Sequence, residues 1–425
     1  MAHELKGIRY QSKTYAKLET LMNRVNEASI KEEHRKQVQS KAVGIDGVTK
    51  VEYGEKLDEN VADLISRMKK FSYKPLPVRR AYIPKADGKL RPLGIPAYED
   101  RLVQSVMAGV LNDIYEERFL DCSYGFRPGR NAHQVVREIN QTLMFRANYV
   151  LEADIKGFFD NVNHDWLMKF LENDIADKTF LRYVKRFLIA GVMEGAERKE
   201  SDKGTPQGGQ ISPVLANVYL HYVLDLWYEK MLRKQCKGNV HYVRYADDFL
   251  LMFQYENEAR EAMTALKGRL GKFGLELAED KTRILPMGRF KGTKEDFDFL
   301  GFTFFNTTTR GGKYRVGVRT SKKKLKAKRQ IVKAWLHDNM HKPIGTTMKR
   351  IQLSLQGHFN YYGISGNLAQ ITKFWKYVKY GYFKVLNKRS QKRSMKYLDY
   401  LRIWKFYVKE PHLTKDIWNW QPKLV

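Results

Sequence analysis

Cysteine is nearly missing: the chain of 425 residues has two, Cys122 and Cys236. Two cysteines cannot build a disulfide framework or a cysteine-rich zinc module. Their scarcity fits a reducing, intracellular compartment. Long apolar runs are missing too. Nothing approaches the roughly 20 consecutive apolar residues that span a bilayer. The opening residues MAHELKGIRYQSK lack the apolar centre of a secretory signal, so no membrane is expected among the partners. Acid is in short supply: 47 Asp and Glu face 77 Lys and Arg, a net charge of +30. A surplus of that size calls for a polyanion, most often nucleic acid. What is present is core material. With 43% hydrophobic and 13% aromatic residues, the chain can fill two or three domains and is not a disordered tail.

The shortage of acid is concentrated. From Phe299 to Leu398, 23 lysines and arginines stand against one acid, Asp338. Bases in such excess cannot neutralise one another, so they are expected to meet phosphates and to release them steeply with salt. The densest run, RTSKKKLKAKR, holds Lys322, Lys323, Lys324, Lys326, Lys328 and Arg329. Further on, Trp375, Tyr377, Tyr380, Tyr382 and Phe383 are interleaved with bases. At helical spacing such rings are mostly core.

Along the chain, apolar spacing near three and four reads residues 11–40 as helical, until the glycines of GIDGV interrupt it. Residues 79–96, RRAYIPKADGKLRPLGIP, read as a hairpin turning at Asp87-Gly88. Pro84 and Pro92 make these edge strands, so the hairpin is expected to project. Residues 101–119 read as an amphipathic helix and 148–155 as a strand. Residues 212–231 read as a long helix with Ser212 as N-cap and Pro213 in the first helical position. VHYVRY and FLLMFQ read as strands, and DFDFLGFTFF (296–305) as one more. Beyond about residue 320 the pattern is helical.

Between VHYVRY and FLLMFQ stand Asp247 and Asp248. Adjacent carboxylates repel, and burying them is costly unless something positive is near. A third acid, Asp154, ends the strand of EADIKGFFD. A solvated turn is the plain reading of an isolated Asp-Asp pair. Here the apolar flanks, the third acid and the need for a polyanion favour a metal site. Mg²⁺ takes oxygen ligands and borrows some from substrate phosphates, and two such ions suit in-line phosphoryl transfer.

Six blocks stand in order: RRAYIPKADGKLRPLGIP, SYGFRPGRNAH, EADIKGFFDNVNHDWL, GTPQGGQISPVLANVYL, YADD between two strands, and FDFLGFTF. With LQGHFNYYGISGN and LNKRSQKR downstream, the chain from about residue 40 to its end resembles the group II intron reverse transcriptases, of the bacterial type without a C-terminal endonuclease. The resemblance implies an α+β right-hand polymerase with fingers, a ferredoxin-like palm with an antiparallel sheet, and an α-helical thumb. It divides the chain into an N-terminal helical extension (1–43), fingers and palm (44–305), thumb or maturase region (306–385) and a basic segment that is a candidate DNA-binding region (386–425). It implies an RNA-directed DNA polymerase in the bacterial cytoplasm that extends a DNA or RNA primer on an RNA template with dNTPs. It also implies binding of group II intron RNA to assist splicing, and of target DNA during retrohoming. Oligomeric state stays open.

The resemblance also assigns roles. Two Mg²⁺ ions would be held by Asp154, the carbonyl of Ile155, Asp247 and Asp248. Asp160 is read as structural. Lys85 and Arg91 would close over the triphosphate; solvated hairpin charges are the plain alternative. A ring at Phe158 or Phe159, with Phe158 preferred, would exclude a 2′-hydroxyl while the other packs. Gln207 and Gly208 would line the nucleotide site. Lys281 would help protonate pyrophosphate, with a solvated lysine as the alternative. Arg244 and Tyr245 orient the aspartates or pack. Arg127 and Arg130 face template phosphates or form structural salt bridges. The chain departs from many relatives in having GHF where they have tryptophan after the glycine. It also lacks the paired cysteines and histidines of an endonuclease, so a pre-existing 3′ end is expected to prime synthesis. Rival readings are a related enzyme adopted for bacterial defence or CRISPR, a splicing cofactor without polymerase activity, and an RNA-synthesising polymerase. The intact aspartates oppose the second, and the bulky ring opposes the third.

Overall fold

The computed structural model describes residues 2–84, 90–194, 197–199, 203–204, 208–289, 294–389 and 395–418. Lys85, Gln207 and the Asp87-Gly88 turn lie outside the described residues. The chain forms two compact units. The first comprises Met1–Asn131, Leu151–Leu251 and Asn257–Ile284; the second comprises Ala132–Val150, Met252–Glu256 and Leu285–Val425. Among the described residues no helix is long and apolar enough to cross a membrane. The strands in chain order are β1 (Val78–Pro84), β2 (Leu90–Ile95), β3 (Tyr149–Ala153), β4 (Val192–Glu194), β5 (Glu197–Lys199), β6 (Val240–Tyr245), β7 (Asp248–Phe253), β8 (Arg283–Pro286), β9 (Asp296–Phe299), β10 (Phe302–Thr308) and β11 (Tyr314–Thr320).

One sheet, in the first unit, has the order β2-β1-β4-β5, and another has the order β6-β7-β3-β8. β1 and β2 pair antiparallel from Arg79↔Ile95 to Pro84↔Leu90. Tyr82, Ile83 and Leu90 near the hairpin's outer end are exposed. The helix Tyr98–Glu116 is the spine of the unit. Leu102, Val103, Met107, Leu111 and Ile114 on it are all fully buried, the signature of a helix apolar around most of its circumference.

Residues 11–40 do not form one helical stretch. A helix Ala2–Thr14 is followed by a 3₁₀ turn Leu21–Arg24 and a second helix Glu27–Lys36. Thr20 sits at φ 56, and Asn26 with Ser29 forms a capping box that starts the second helix. The spacing of apolar residues survives on both sides of the break, and so conceals it. Ser212 is likewise not the cap: Ile211 holds that position and Ser212 is the first helical residue. The α-helix Ser212–Leu220 then widens into π geometry over His221–Asp225 and Tyr228–Leu232.

The second unit holds the helix Ala132–Phe145 and a sheet of order β11-β10-β9. It also holds the helices Lys322–Asp338, Ile344–Tyr362, Leu368–Leu386 and Tyr397–Tyr407. Residues 296–305 are a hairpin rather than one strand. Phe299 pairs with Phe302, and Leu300 (φ 48) and Gly301 (φ 80) make the two-residue turn. Both central residues at positive φ is the primed geometry that suits twisted hairpins. Leucine there is unusual, which hides the turn in sequence; the Tyr361 hydroxyl donates to the Leu300 carbonyl at 2.8 Å and helps hold it. The helices close on Met348, Leu355, Phe359, Phe374, Tyr382 and Trp404. Tyr382 is core, Trp375, Tyr377 and Phe383 pack at its margin, and Tyr380 is exposed.

Candidate active site

A cavity of about 1470 Å³ opens in the first unit. Its lining includes Asp154, Asp247 and Asp248 together with Arg91, Phe158, Phe159, Gly208 and Lys281. Two strands deliver the acids. β6 and β7 are joined by Ala246 and Asp247, and Ala246 takes the left-handed conformation (φ 59). This turn leaves Asp247 half-buried and Asp248 exposed. β3 lies beside β7 in the sheet, and Asp154 follows its last residue. The apolar residues of β7, Phe249 to Phe253, are buried, so the sheet anchors the acids in a rigid core.

A second segment lies along Asp154. The N–H of Ala278 donates to the Asp154 carbonyl at 2.8 Å, and that of Lys156 to the Glu276 carbonyl at 2.9 Å. Ile155 and Leu277 form the bridge between these bonds, a pairing in which the carbonyl of Ile155 takes no part. The same segment brings in Lys281, whose ammonium donates to Asp154 Oδ2 at 2.6 Å. That bond raises the lysine's pKa, with Asp280 and Asp248 adding to the effect of Asp154. Burial pushes the Asp247 carboxyl up, and the charge of Asp154 adds to it; the residue's own backbone N–H, Arg91 and Arg244 act in the other direction. Asp247 thus feels both the charge of Asp154 and that of Arg91, which line the same cavity.

The donor set suits a hard divalent cation. It offers carboxylates and backbone carbonyls, and the lining residues include no cysteine or histidine. Among the described residues no three acids, histidines or cysteines form a ready-made cluster. The acids already draw in a cation, the Lys281 ammonium, as their local counter-charge.

Another part of the cavity's lining is made by close backbone packing. Gly208 has φ +117, and a Cβ there would stand 2.5 Å from the Gly94 carbonyl oxygen of β2. Only glycine fits this approach. Phe158 is 2% exposed and packs on Phe159 and Tyr219; Phe159 is half-buried. Asp160 is exposed at the cavity's rim, its N–H bonded to the Gly157 carbonyl at 3.0 Å.

Comparison with known proteins shows the family. The family described as reverse transcriptase (RNA-dependent DNA polymerase) matches residues 83–304, just over half of the chain. Protein YkfC of Escherichia coli (strain K12) is 36% identical over 304 residues, 64% of this chain and 78% of that protein. The group II intron-encoded protein LtrA of Lactococcus lactis subsp. cremoris is 28% identical over 416 residues, covering 77% and 67% of the two chains. A nuclear intron maturase 2 of Arabidopsis thaliana is 34% identical over 110 residues, 25% of this chain and 15% of that one. The chain belongs to the reverse transcriptase family. It is an RNA-directed DNA polymerase of the group II intron type.

Within this reverse transcriptase, two arginines expected at template phosphates have other partners. Arg127 is buried; it forks onto Glu116 at 3.0 Å and donates to the carbonyls of Leu120 at 2.7 Å and Ser123 at 2.8 Å. It is a structural clasp: four of its five N–H donors are spent on Glu116 and the two carbonyls. Arg130 bonds Asp121 at 2.5 Å and lies over the Tyr124 ring. Asp121 is almost fully exposed, so this pair is weak.

In the second unit, the basic run forms the first two turns of the helix Lys322–Asp338. Lys322, Lys323, Lys324 and Lys326 are exposed, whereas Lys328 and Arg329 are half-buried and Arg329 lies over Tyr377. Three lysines in a first turn without acid oppose the helix dipole, so an anion there relieves a standing repulsion.

Sequence reasoning left Arg244 either orienting the aspartates or packing, and missed the partners that hold it. Arg244 is fully buried and binds Asp225, Asn217, Ser123 and the Ala246 carbonyl. The signal available was an arginine inside the apolar strand VHYVRY and an aspartate inside the apolar VLDL, two opposite charges in otherwise apolar segments. Tyr245 is half-buried beside the cavity.

Proposed function

We propose that this chain adds dNTPs to a primer 3′-hydroxyl on an RNA template by two-metal phosphoryl transfer. We further propose that it binds group II intron RNA as a maturase, and target DNA during retrohoming. The observation that carries the reading is the meeting of Asp154, Asp247 and Asp248 with Arg91 and Lys281 in one cavity. Asp154, the Ile155 carbonyl, Asp247 and Asp248 would hold two Mg²⁺ ions, which would supply activation of the hydroxyl and charge stabilisation on the leaving pyrophosphate. The open carboxylate arrangement suits ions that complete their shells with substrate phosphate oxygens.

The chain's own residues then have distinct tasks. Arg91, and Lys85 beyond the other strand of the hairpin, receive the triphosphate. Lys281 exchanges its bond to Asp154 for one to the departing pyrophosphate, where it is placed to give up a proton. Gly208 lines the space in which the nucleotide and template lie, and Gln207, next to it in sequence, is assigned to the same nucleotide site. The ring of Phe158, or failing that Phe159, closes the space a 2′-hydroxyl needs. Residues 44–305 act as fingers and palm, 306–385 as thumb, and 386–425 as a DNA-contacting segment behind an N-terminal extension (1–43). Lys322, Lys323, Lys324 and Lys326 supply phosphate contacts to duplex or intron RNA, with Lys328 and Arg329 bracing them; such contacts read backbone and shape.

The test is primer extension on an RNA template with Mg²⁺, comparing dNTPs with NTPs in wild type, Asp247→Ala and Phe158→Ala. Extension by wild type with dNTPs alone, its loss in Asp247→Ala and ribonucleotide entry in Phe158→Ala are expected. Tight, salt-sensitive RNA binding without any extension would leave only a splicing cofactor.

A further inference from the structure

An arginine has five N–H donors in a fixed fork, and every one on Arg244 is used inside the protein. Nε and Nη2 grip Asp225 at 2.8 and 2.6 Å. Nη2 also donates to Ser123 Oγ at 2.8 Å, and Nη1 donates to Asn217 Oδ1 at 2.8 Å and to the Ala246 carbonyl at 3.1 Å. The backbone of Arg244 is strapped as well: its N–H donates to the Cys122 carbonyl and its carbonyl accepts from Tyr124 N–H, both at 2.8 Å. We propose that Arg244, anchored on Asp225, is a positioning residue that holds the left-handed Ala246 turn and thereby sets where Asp247 presents its carboxylate.

Three observations carry this. First, Ala246 is one residue from Asp247 and lies at φ 59 without glycine's freedom; such a conformation persists only where its surroundings dictate it. Second, the surroundings form one connected network. Asn217, which accepts from Arg244, donates to the Gly125 carbonyl at 2.7 Å, and Gly125 lies directly against the backbone of Tyr245 and Ala246. Third, the helix is reshaped to serve the network. Asn217 and Asp225 are eight residues apart, which in an uninterrupted α-helix offsets them by about 80°. The π segment His221–Asp225 turns less per residue, and brings Asp225 back toward the face of Asn217 where both reach Arg244. π segments of this kind recur at functional sites.

The inference rests on reading Asp247 as a metal ligand, so the experiment includes Asp247→Ala. Wild type, Arg244→Lys, the paired Arg244→Met with Asp225→Leu, and Asp247→Ala are compared. The assays are dTTP incorporation on primed poly(rA), Mn²⁺ binding by electron paramagnetic resonance, RNA binding by anisotropy, and thermal unfolding. The paired variant guards against misfolding, because it leaves no charge buried alone. In the folded Arg244 variants, kcat falls about 10–100-fold, the range for residues that orient metal ligands. Mn²⁺ binds more weakly, while KM for dTTP and RNA affinity hold. Folded variants with wild-type kcat and Mn²⁺ binding overturn the positioning role. So does a parallel loss of Tm, RNA affinity and KM, which marks a merely structural pair. Full activity in Asp247→Ala would instead overturn the metal-ligand reading itself.

Discussion

Gly125 shows how tightly the Ala246-Asp247 turn is held. A Cβ at this position would lie 2.9 Å from the carbonyl carbon of Tyr245, 3.1 Å from the Ala246 Cα and closer still to the Ala246 nitrogen. All three are backbone atoms, so no side chain can swing aside. Gly125→Ala therefore has to move the turn by about 1 Å to reach ordinary contact. Overpacking of this kind costs about 1–3 kcal/mol, a Tm loss of about 2–4 °C per kcal/mol for a unit of this size. The functional cost is larger, because a displacement of about 1 Å in a reacting group lowers rate about 100-fold. Gly109→Ala is the control. Gly109 is exposed on the helix Tyr98–Glu116, and a Cβ there meets nothing within 4 Å, so alanine should stabilise by about 0.5–1 kcal/mol. The assay is single-turnover extension of a primed RNA template at saturating dNTP, with Tm measured in parallel. A Gly125→Ala protein whose single-turnover rate stays within about threefold of wild type would refute the claim that the turn is rigidly seated.

Other expectations follow from the same geometry. Arg127→Ala breaks a mostly buried pair and should cost about 3 kcal/mol, while the salt dependence of RNA binding by the surviving folded protein stays at its wild-type slope; a reduced slope would return Arg127 to the nucleic acid. Replacing Lys322, Lys323, Lys324 and Lys326 together by alanine should lower the log–log salt slope of RNA binding by up to about 3 with little change in Tm; an unchanged slope would remove this helix from the RNA surface. Asp100, buried beside the Tyr73 hydroxyl, is pushed by that burial up to about 7. An acid raised in the folded state takes up protons on folding, so its contribution to stability falls as pH rises from about 4 to about 7. Asp100→Asn should remove that decline, giving a Tm advantage that is absent near pH 4 and full above pH 7; a difference independent of pH would contradict the assignment.

Much of the site was legible in the linear order of residues because its parts are local. A strand–Asp-Asp–strand pattern makes its own hairpin, Asp154 ends its own strand, and both positions follow from alternation of apolar residues. Local signals failed where the deciding partner lies elsewhere. Leu300-Gly301 does not look like a turn until Tyr361 bonds its carbonyl. Arg127 reads as a phosphate contact until Glu116 and two carbonyls take its donors.

The sequence alone determined the chemistry of this protein: which acids could hold a metal, the cationic excess that requires a polyanion, and the ordered blocks that mark a reverse transcriptase. These depend on residue type and short spacing. The tertiary structure alone decided how the acids are held. Arg244, Asp225, Asn217, Ser123 and Gly125 are scattered from residue 123 to 244, and they meet only because strands and a widened helix converge there. A buried charge is tolerable only with its partners in place, and where those partners stand is a property of the fold.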